Sequence, residues 1–200
     1  MAPYNDRLEP TLSRHSLYIS KIKYKKNKMK INIEQFLSDI DQLILENENK
    51  NQALTKVFSK ILNAFDCDRA WCLYPCDPES HDWGIPVEVT KHEWPGVNNS
   101  KPQMPTVKSD IESFNIFLNA KKPVTFGNGA DYPTPEHVRE VFRVHSQMAT
   151  VIYPKHGKSW LLGIHFCERH HHFSDDEKEF FDMLGKKIGD IFDDLALDIL

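Results

Sequence analysis

The sequence predicts an α+β fold, an antiparallel sheet of about five to six strands with helices packed on it and long terminal helices. The strongest evidence is in the last third of the chain. Residues 146–154 and 160–167 are rich in β-formers and flank a polar turn at Gly157. A long helix follows, and Ser174 and Glu177 at its start have the spacing of a capping box. No glycine-rich phosphate loop follows a strand, which disfavours parallel winding.

Two helices are predicted ahead of the first strand. Apolar side chains recur at helical spacing over residues 33–44 and again over 54–65. A polar stretch at 47–51 interrupts the pattern. The two segments therefore form either one bent helix or a helical hairpin.

Capping residues mark two further helices in the middle of the chain. Ser109 and Glu112 have the spacing of a capping box, in which the serine accepts an amide and the glutamate reaches back. Thr134 is predicted to cap a later helix, with Pro135 in its first turn. The remaining strands are predicted at 68–74, 84–90 and 123–126.

Length and composition indicate one globular domain with extensions. The 200 residues are 40% hydrophobic and include 12 Phe and 4 Trp, which can build a substantial core. Four cysteines are too few for a disulfide scaffold, so a reducing, cytoplasmic location is predicted. No apolar run approaches the roughly 18 residues of a membrane span. The N-terminus lacks the apolar core of a signal peptide.

Charge divides the chain into two regions. Residues 1–30 hold eight basic and two acidic side chains, a net charge of +6, which leaves −10 on the other 170 residues. We expect 1–30 to be a basic, poorly ordered tail and 31–200 to be a single domain with an N-terminal helical extension. A nucleic-acid surface needs clustered Lys and Arg, so the acidic body argues against nucleic-acid binding.

Three segments of the chain, in their order and spacing, resemble GAF domains, the small-molecule and chromophore sensing modules of signalling proteins. They are 65–71, where a helix end precedes Asp68, Arg69 and a strand; 82–90, where a turn precedes a strand; and 146–177. The resemblance implies a GAF/PAS-like fold that binds a small molecule in a pocket. It also implies a homodimer that signals through terminal helices to an effector, of the histidine kinase or cyclic-dinucleotide enzyme type.

The phytochrome-like branch of that family is the most similar in these segments, but its chromophore attachment is missing here. That branch binds a bilin through a Cys located shortly before the strand that begins near Ser146. This chain has Thr134, Pro135, Glu136 and His137 there and no cysteine from 77 to 166, which argues against covalent bilin. The cofactor is left unnamed, with haem on an axial histidine as one alternative.

The predicted pocket residues are aromatic side chains and a histidine on or beside the loops at 92–107 and 127–133, together with three histidines that could serve as the axial ligand of a haem. Aromatic walls with a few polar groups suit a planar organic ligand. They could equally fill the cavity themselves, and a strand histidine can be a satisfied core residue. The predicted set is Trp83, His92, Trp94, Phe126, Tyr132, His137, His145 and His165.

Cysteine and histidine clusters are the basis of a rival interpretation, a small redox or metal-dependent enzyme. Cys67, Cys72 and Cys76 lie close in sequence, although buried packing suits thiols in a strand equally well. His170 and His172 are weak metal candidates in what also reads as a polar loop. No catalytic motif accompanies either cluster. A non-catalytic role is therefore predicted.

The last helix carries an apolar stripe that we expect to mediate dimerisation. Its residues step by three and four positions, the spacing of a coiled-coil seam. The alternative is that the stripe packs on the domain's own sheet, and a ligand-free dimerisation module is a further possibility for the whole chain. The stripe consists of Phe181, Leu184, Ile188, Ile191 and Leu195.

Overall fold

The structure is a computed structural model that describes residues 31–96 and 104–195. The tail predicted for residues 1–30 lies outside this part of the chain. The helices are α1 (Ile33–Leu45), α2 (Lys50–Phe65), α3 (Lys108–Asn119), α4 (Glu136–Val141) and α5 (Asp175–Leu195). The strands are β1 (Arg69–Tyr74), β2 (Asp82–Thr90), β3 (Met104–Pro105), β4 (Val124–Phe126), β5 (Ser146–Ile152) and β6 (Trp160–Phe166).

The six strands form one sheet in the order β3-β2-β1-β6-β5-β4, and every neighbouring pair is antiparallel. This confirms the predicted α+β fold class. Strand β3 falls in a stretch that the sequence pattern predicted to be loop. It pairs with the start of β2, which begins two residues earlier than predicted.

Cross-strand register assigns each strand residue to one of two faces. Trp71 of β1 lies opposite Gly163 of β6, which lies opposite Ala149 of β5. The next row, on the other face, contains Cys72, Leu162 and Thr150. Because side chains alternate along a strand, these two rows define a first face and a second face of the sheet.

Helices α1, α2 and α5 pack together on the second face. The ring of Phe180 lies 5.2 Å from that of Phe36 in α1 and 5.4 Å from that of Phe65 in α2. Lys60 of α2 forms a 2.7 Å ion pair with Asp39 of α1. A continuous helix would separate these two residues by about 30 Å at 1.5 Å per residue, so α1 and α2 form a helical hairpin.

The predicted dimer stripe on α5 is part of this core. Phe181, Leu184 and Ile188 are 0% exposed, and Ile191 is 4% exposed, within the single chain. Gly185 of the same helix lies against Thr150 of β5. The expectation of a stripe free to meet a partner helix was therefore wrong for these four residues, because the sheet, α1 and α2 already cover them. The side chain of Leu195 lies outside the described residues.

One of the three predicted caps is present. The Ser174 amide donates to Glu177 Oε2 at 2.7 Å and the Glu177 amide donates to Ser174 Oγ at 3.2 Å, which is the reciprocal capping box. Helix α3 instead begins after Val107, so Ser109 lies inside it. Helix α4 begins after Pro135 without a side-chain cap, and Thr134 Oγ1 donates to the His145 carbonyl.

Removing the α5 cap should destabilise the domain. We expect Ser174→Ala to lower the free energy of unfolding by about 1 kcal/mol, because the Glu177 amide loses its acceptor. Ser59→Ala is the matched control, since Ser59 Oγ only donates to the Thr55 carbonyl within α2. Urea denaturation measures the unfolding midpoint of both variants, and an unchanged m-value shows that a shift in midpoint reflects stability. Equal midpoints for the two variants would contradict the capping role.

A membrane span was also sought in the structure. Among the helices within residues 31–96 and 104–195, none is long and apolar enough to cross a bilayer.

Candidate functional site

A small cavity lies between the first face of the sheet and helices α3 and α4. Its volume is about 70 Å³. Trp71 and Leu161 of the sheet form its floor, Phe114 and Phe117 of α3 one wall, and Val138 of α4 part of its roof. Ligand sites usually measure about 300–1,000 Å³. In this conformation the cavity has room for a few water molecules, and a larger guest requires part of the wall to move.

The indole of Trp71 fills much of the floor because its cross-strand neighbour is glycine. A Cβ atom at Gly163 would clash with the six-membered ring of Trp71. The absence of that atom lets the ring lie across β6 toward His165, with ring centroids 5.0 Å apart. The Trp71–Gly163 pair therefore sets the depth of the cavity.

His165 lies beside this ring as a buried, neutral imidazole. Burial lowers the pKa of His165 well below its usual value, and the positive charge of Arg69 lowers it further. Arg69 lies directly opposite on β1. No hydrogen-bond partner reaches His165 Nδ1 or Trp71 Nε1 within the described residues, and both atoms are buried.

Asp110 joins three elements around the cavity. Its Oδ2 accepts the Trp83 indole N–H at 3.0 Å and the Val107 amide at 3.0 Å, so it both anchors β2 and caps α3. Its Oδ1 lies 3.5 Å from Nε2 of His137 on α4. Asp110 itself is only 7% exposed. The carboxylate thus connects the wall of the cavity to its roof.

Arg69 ties two loops together at the other end of the cavity. Its Nε donates to the Trp94 carbonyl at 3.1 Å and its Nη1 donates to the Phe142 carbonyl at 2.8 Å. The guanidinium of Arg143 lies 5.0 Å from the centre of the Trp94 ring. These contacts hold the loop after β2 against the loop after α4.

The structure separates the eight predicted pocket residues into two groups. Trp83, Phe126, His137 and His165 line the cavity. The other four lie outside it. His92 is exposed and Trp94 contributes its carbonyl to Arg69. The Tyr132 ring lies 5.5 Å from that of Phe126, and the His145 ring lies 4.7 Å from that of His170.

Several cavity residues were missed from the sequence. Arg69, Trp71 and Leu73 occupy every second position of β1, a period-two pattern that would have placed all three on one face of the sheet. Asp110 lies within the segment from Ser109 to Glu112 that was interpreted as a capping box. Its contact with Trp83, 27 positions away, leaves no pattern in the local sequence.

The cysteine and histidine clusters do not form a metal centre. No three His, Cys, Asp or Glu side chains within residues 31–96 and 104–195 are grouped as a metal ion requires. His170 and His172 are exposed. His171 between them turns inward, stacks on Phe166 at 4.0 Å and contacts Glu177 at 2.8 Å.

The His137 contact should control the mobility of α4. No residue of α4 is buried, so polar contacts account for much of its attachment. We expect His137→Ala to change the free energy of unfolding by less than about 1 kcal/mol, yet to accelerate amide exchange several-fold over residues 136–142. Glu140→Ala on the same helix is the control. Equal exchange in the two variants would show that His137 does not restrain the helix.

Comparison with known proteins supports the fold. No protein-family model and no curated protein matches the sequence. Among solved structures, a phycocyanobilin-bound GAF domain from a cyanobacterial phytochrome is 15% identical, with a TM-score of 0.64 over 82% of this chain and 96% of that one. A GAF domain from a phosphoenolpyruvate-protein phosphotransferase of Coxiella burnetii is 16% identical, with a TM-score of 0.59 over 82% and 95%. A far-red cyanobacteriochrome photoreceptor is 16% identical, with a TM-score of 0.59 over 90% and 100%.

The sheet order, the two helix layers and the cavity define an α+β domain with a small cavity on one face of its sheet. The fold is that of GAF domains, which confirms the resemblance predicted from residues 65–71, 82–90 and 146–177.

Proposed function

We propose that this chain is a sensory or regulatory domain of a signalling protein, which binds a small molecule in the cavity and signals through its terminal helices. The observation that carries the proposal is the position of the cavity. The cavity lies on one face of a GAF-fold sheet, and α5 packs on the other face. One structural relative is a phycocyanobilin-bound domain and another belongs to a phosphotransferase, which fits ligand sensing within a larger signalling protein.

Strand β5 provides the physical connection between cavity and helix. Gln147 lines the cavity, while Thr150 and Ile152 contact Gly185 and Gly189 of α5. The two glycines bring the backbone of α5 close to β5. A displacement of β5 therefore changes the position at which α5 packs on the sheet. A ligand shifts this equilibrium only if it binds one arrangement more tightly than the other.

Partners follow from the same proposal. We propose a homodimer and an effector of the histidine kinase or cyclic-dinucleotide enzyme type. Because Phe181, Leu184, Ile188 and Ile191 are buried within the chain, the dimer contact would use other surfaces.

The chemistry of the thiols supports a non-catalytic role over a cysteine-dependent enzyme. Burial, with the nearby charge of Asp77, raises the pKa of Cys76 to about 12. Burial also raises the pKa of Cys167 to about 11 and that of Cys72 well above its usual value. A protonated, inaccessible thiol is a poor nucleophile and a poor metal ligand.

The small volume of the cavity favours one second candidate, a ligand-free interaction module. Trp71 and the phenylalanines of α3 occupy space that a ligand would otherwise take. This candidate shares the fold and differs only in whether any molecule enters.

Native mass spectrometry and an absorption spectrum of protein purified without a histidine tag test the proposed function. A retained small molecule, together with altered amide exchange in α5 on its removal, is the expected result. If neither a retained molecule nor any added metabolite changes exchange in α5, the ligand-free module is the better description.

A further inference from the structure

The outer edge of β5 is only partly covered by its neighbour β4. Thr125 of β4 faces away from β5, because its amide donates to Asp131 Oδ2 at 3.0 Å. Backbone groups alternate between the two edges of a strand, so Val124 faces β5 and pairs with Ala149. Val151 comes two residues after Ala149 and therefore directs its N–H and C=O toward the same outer edge, beyond the end of β4.

Within the described residues, nothing pairs with Val151 at this edge. Strand β4 begins at Val124, and the residue before it is Pro123, which has no N–H to donate. Continuing the register would place Lys122 opposite Val151, but Lys122 lies outside the strand and is exposed. No backbone hydrogen bond joins the two residues. Val151 thus presents one donor and one acceptor to an additional strand.

This edge forms the floor of an open groove of about 690 Å³, which shares no lining residue with the small cavity. The floor runs from Thr150 to Tyr153, one wall is the end of α3 with residues 118–122, and the other wall is α5. Tyr153 Oη donates to the Leu118 carbonyl at 3.4 Å, and Gly185 of α5 packs against Thr150, so both walls are attached to β5. An unpaired strand edge between two helical walls has the form of a site for one added strand.

The charges along the groove indicate what kind of strand fits. Lys121 and Lys122, on the α3 wall, are exposed and form no ion pair within the described residues. On the α5 wall, Asp182 and Asp193 are already paired with lysines at 2.7 and 3.6 Å, which leaves the exposed Asp190. Two unpaired positive charges therefore lie on one wall, and a single unpaired negative charge lies on the other.

From these contacts we propose that the groove binds an extended segment of a partner protein as an added strand on β5, with acidic side chains of that segment beside Lys121 and Lys122. Lysines next to an open edge disfavour pairing with a second copy of the same edge, because the like charges would meet. An acidic strand instead finds partners in them. The inference goes beyond the proposed function, since this docking requires no molecule in the cavity.

Three short peptides test the backbone pairing and the charge. They are acetyl-Glu-Val-Thr-Val-Glu-Val-amide, its counterpart with both glutamates replaced by lysine, and the acidic peptide with every peptide nitrogen methylated. The readout is the amide resonances of Val151, Tyr153 and Gly185 in ¹⁵N-labelled full-length chain. We expect the acidic peptide to shift these resonances, to slow amide exchange at Val151 and to bind at least about tenfold more tightly than the other two. Its advantage over the basic peptide should shrink as salt is added.

A charge-reversal variant tests the two lysines. Lys121→Glu combined with Lys122→Glu should weaken the acidic peptide at least about tenfold and make the basic peptide the tighter ligand. Both side chains are exposed, so the variant should fold as the parent chain does. Lys56→Glu combined with Lys108→Glu is the matched control, because it changes the net charge equally at exposed positions outside the groove. The control should keep the parent's preference for the acidic peptide.

Four outcomes would overturn the inference. Equal affinity for the acidic peptide and its methylated form would exclude strand pairing, and equal affinity for the acidic and basic peptides would exclude the charge preference. A dimer in sedimentation whose Val151 amide is protected without peptide would show that a second copy occupies the groove. Absence of any shift at Val151 with millimolar acidic peptide would show that the groove binds no such strand. None of these results bears on whether a small molecule enters the cavity.

Discussion

Replacing Trp71 with alanine is expected to lower the free energy of unfolding by about 3–5 kcal/mol and to create a cavity that free indole fills. The side chain is 4% exposed, lies flat over Gly163 and packs against His165 and the α3 phenylalanines. Its removal loses the transfer free energy of the indole and leaves a hole that the sheet cannot close, because β1 and β6 are hydrogen-bonded on both sides of it.

Thermal and urea unfolding with and without indole measure this effect. At ten times its dissociation constant, indole should restore about 1.4 kcal/mol of the loss. Trp94→Ala is the control, because that ring lies outside the cavity and contacts Arg143. Indole should leave the control unchanged. If indole fails to stabilise Trp71→Ala while the variant remains folded, the floor has collapsed and Trp71 does not set the depth of the cavity.

The α5 stripe shows how far periodicity can be interpreted. Steps of three and four residues place Phe181, Leu184 and Ile188 on one side of a helix, and the structure confirms a single apolar side. The spacing of a coiled-coil seam and that of a helix packed on its own sheet are nearly the same. Which surface covers the stripe depends on α1 and α2, and the local pattern of α5 contains no information about them.

The candidate site was partly predictable for a related reason. Position on or beside the predicted loops led to Trp83 and Phe126, and the chemistry of haem ligation led to His137 and His165. All four line the cavity. The role of Asp110 depends on a contact with Trp83 across 27 positions, which capping patterns cannot reveal. Local rules worked best where both partners were neighbours in sequence, as in the capping box of Ser174.

Asp68 is the second residue whose replacement should have a large effect. Its side chain is fully buried at the start of β1. Oδ2 accepts the amides of Cys167 and Glu168 at 2.7 and 3.0 Å, and Oδ1 lies 3.2 Å from Lys91 Nζ. The carboxylate thereby joins the end of β6 to β1 across about one hundred positions. We expect Asp68→Ala to cost about 3–5 kcal/mol, because it leaves the amides of Cys167 and Glu168 without their acceptor and removes one of the two carboxylates that contact Lys91.

The pKa of Asp68 predicts that the stability of the domain falls at acid pH. Burial alone would raise the pKa of Asp68, but the amides of Glu168 and Cys167 and the charge of Lys91 outweigh it and hold the pKa below its usual value. A lowered pKa in the folded state means that the stabilisation is fully present above the unfolded value of about 3.9. It is lost as the pH falls through the folded pKa. The parent chain should therefore lose stability steeply below about pH 4.

Asp68→Asn removes the negative charge of the side chain and keeps its shape. The amide oxygen can still accept from Cys167 or Glu168, so the variant should lose less free energy of unfolding than Asp68→Ala. Its free energy of unfolding should also change less with pH than that of the parent chain. Asp66→Asn is the matched control, because the Asp66 side chain is 70% exposed and its contacts with Lys91 and Arg169 are solvent-screened. Urea midpoints between pH 3 and pH 7 compare the three chains. If Asp68→Asn retains the acid dependence of the parent, another buried carboxylate, such as Glu177 with its lowered pKa, governs acid unfolding.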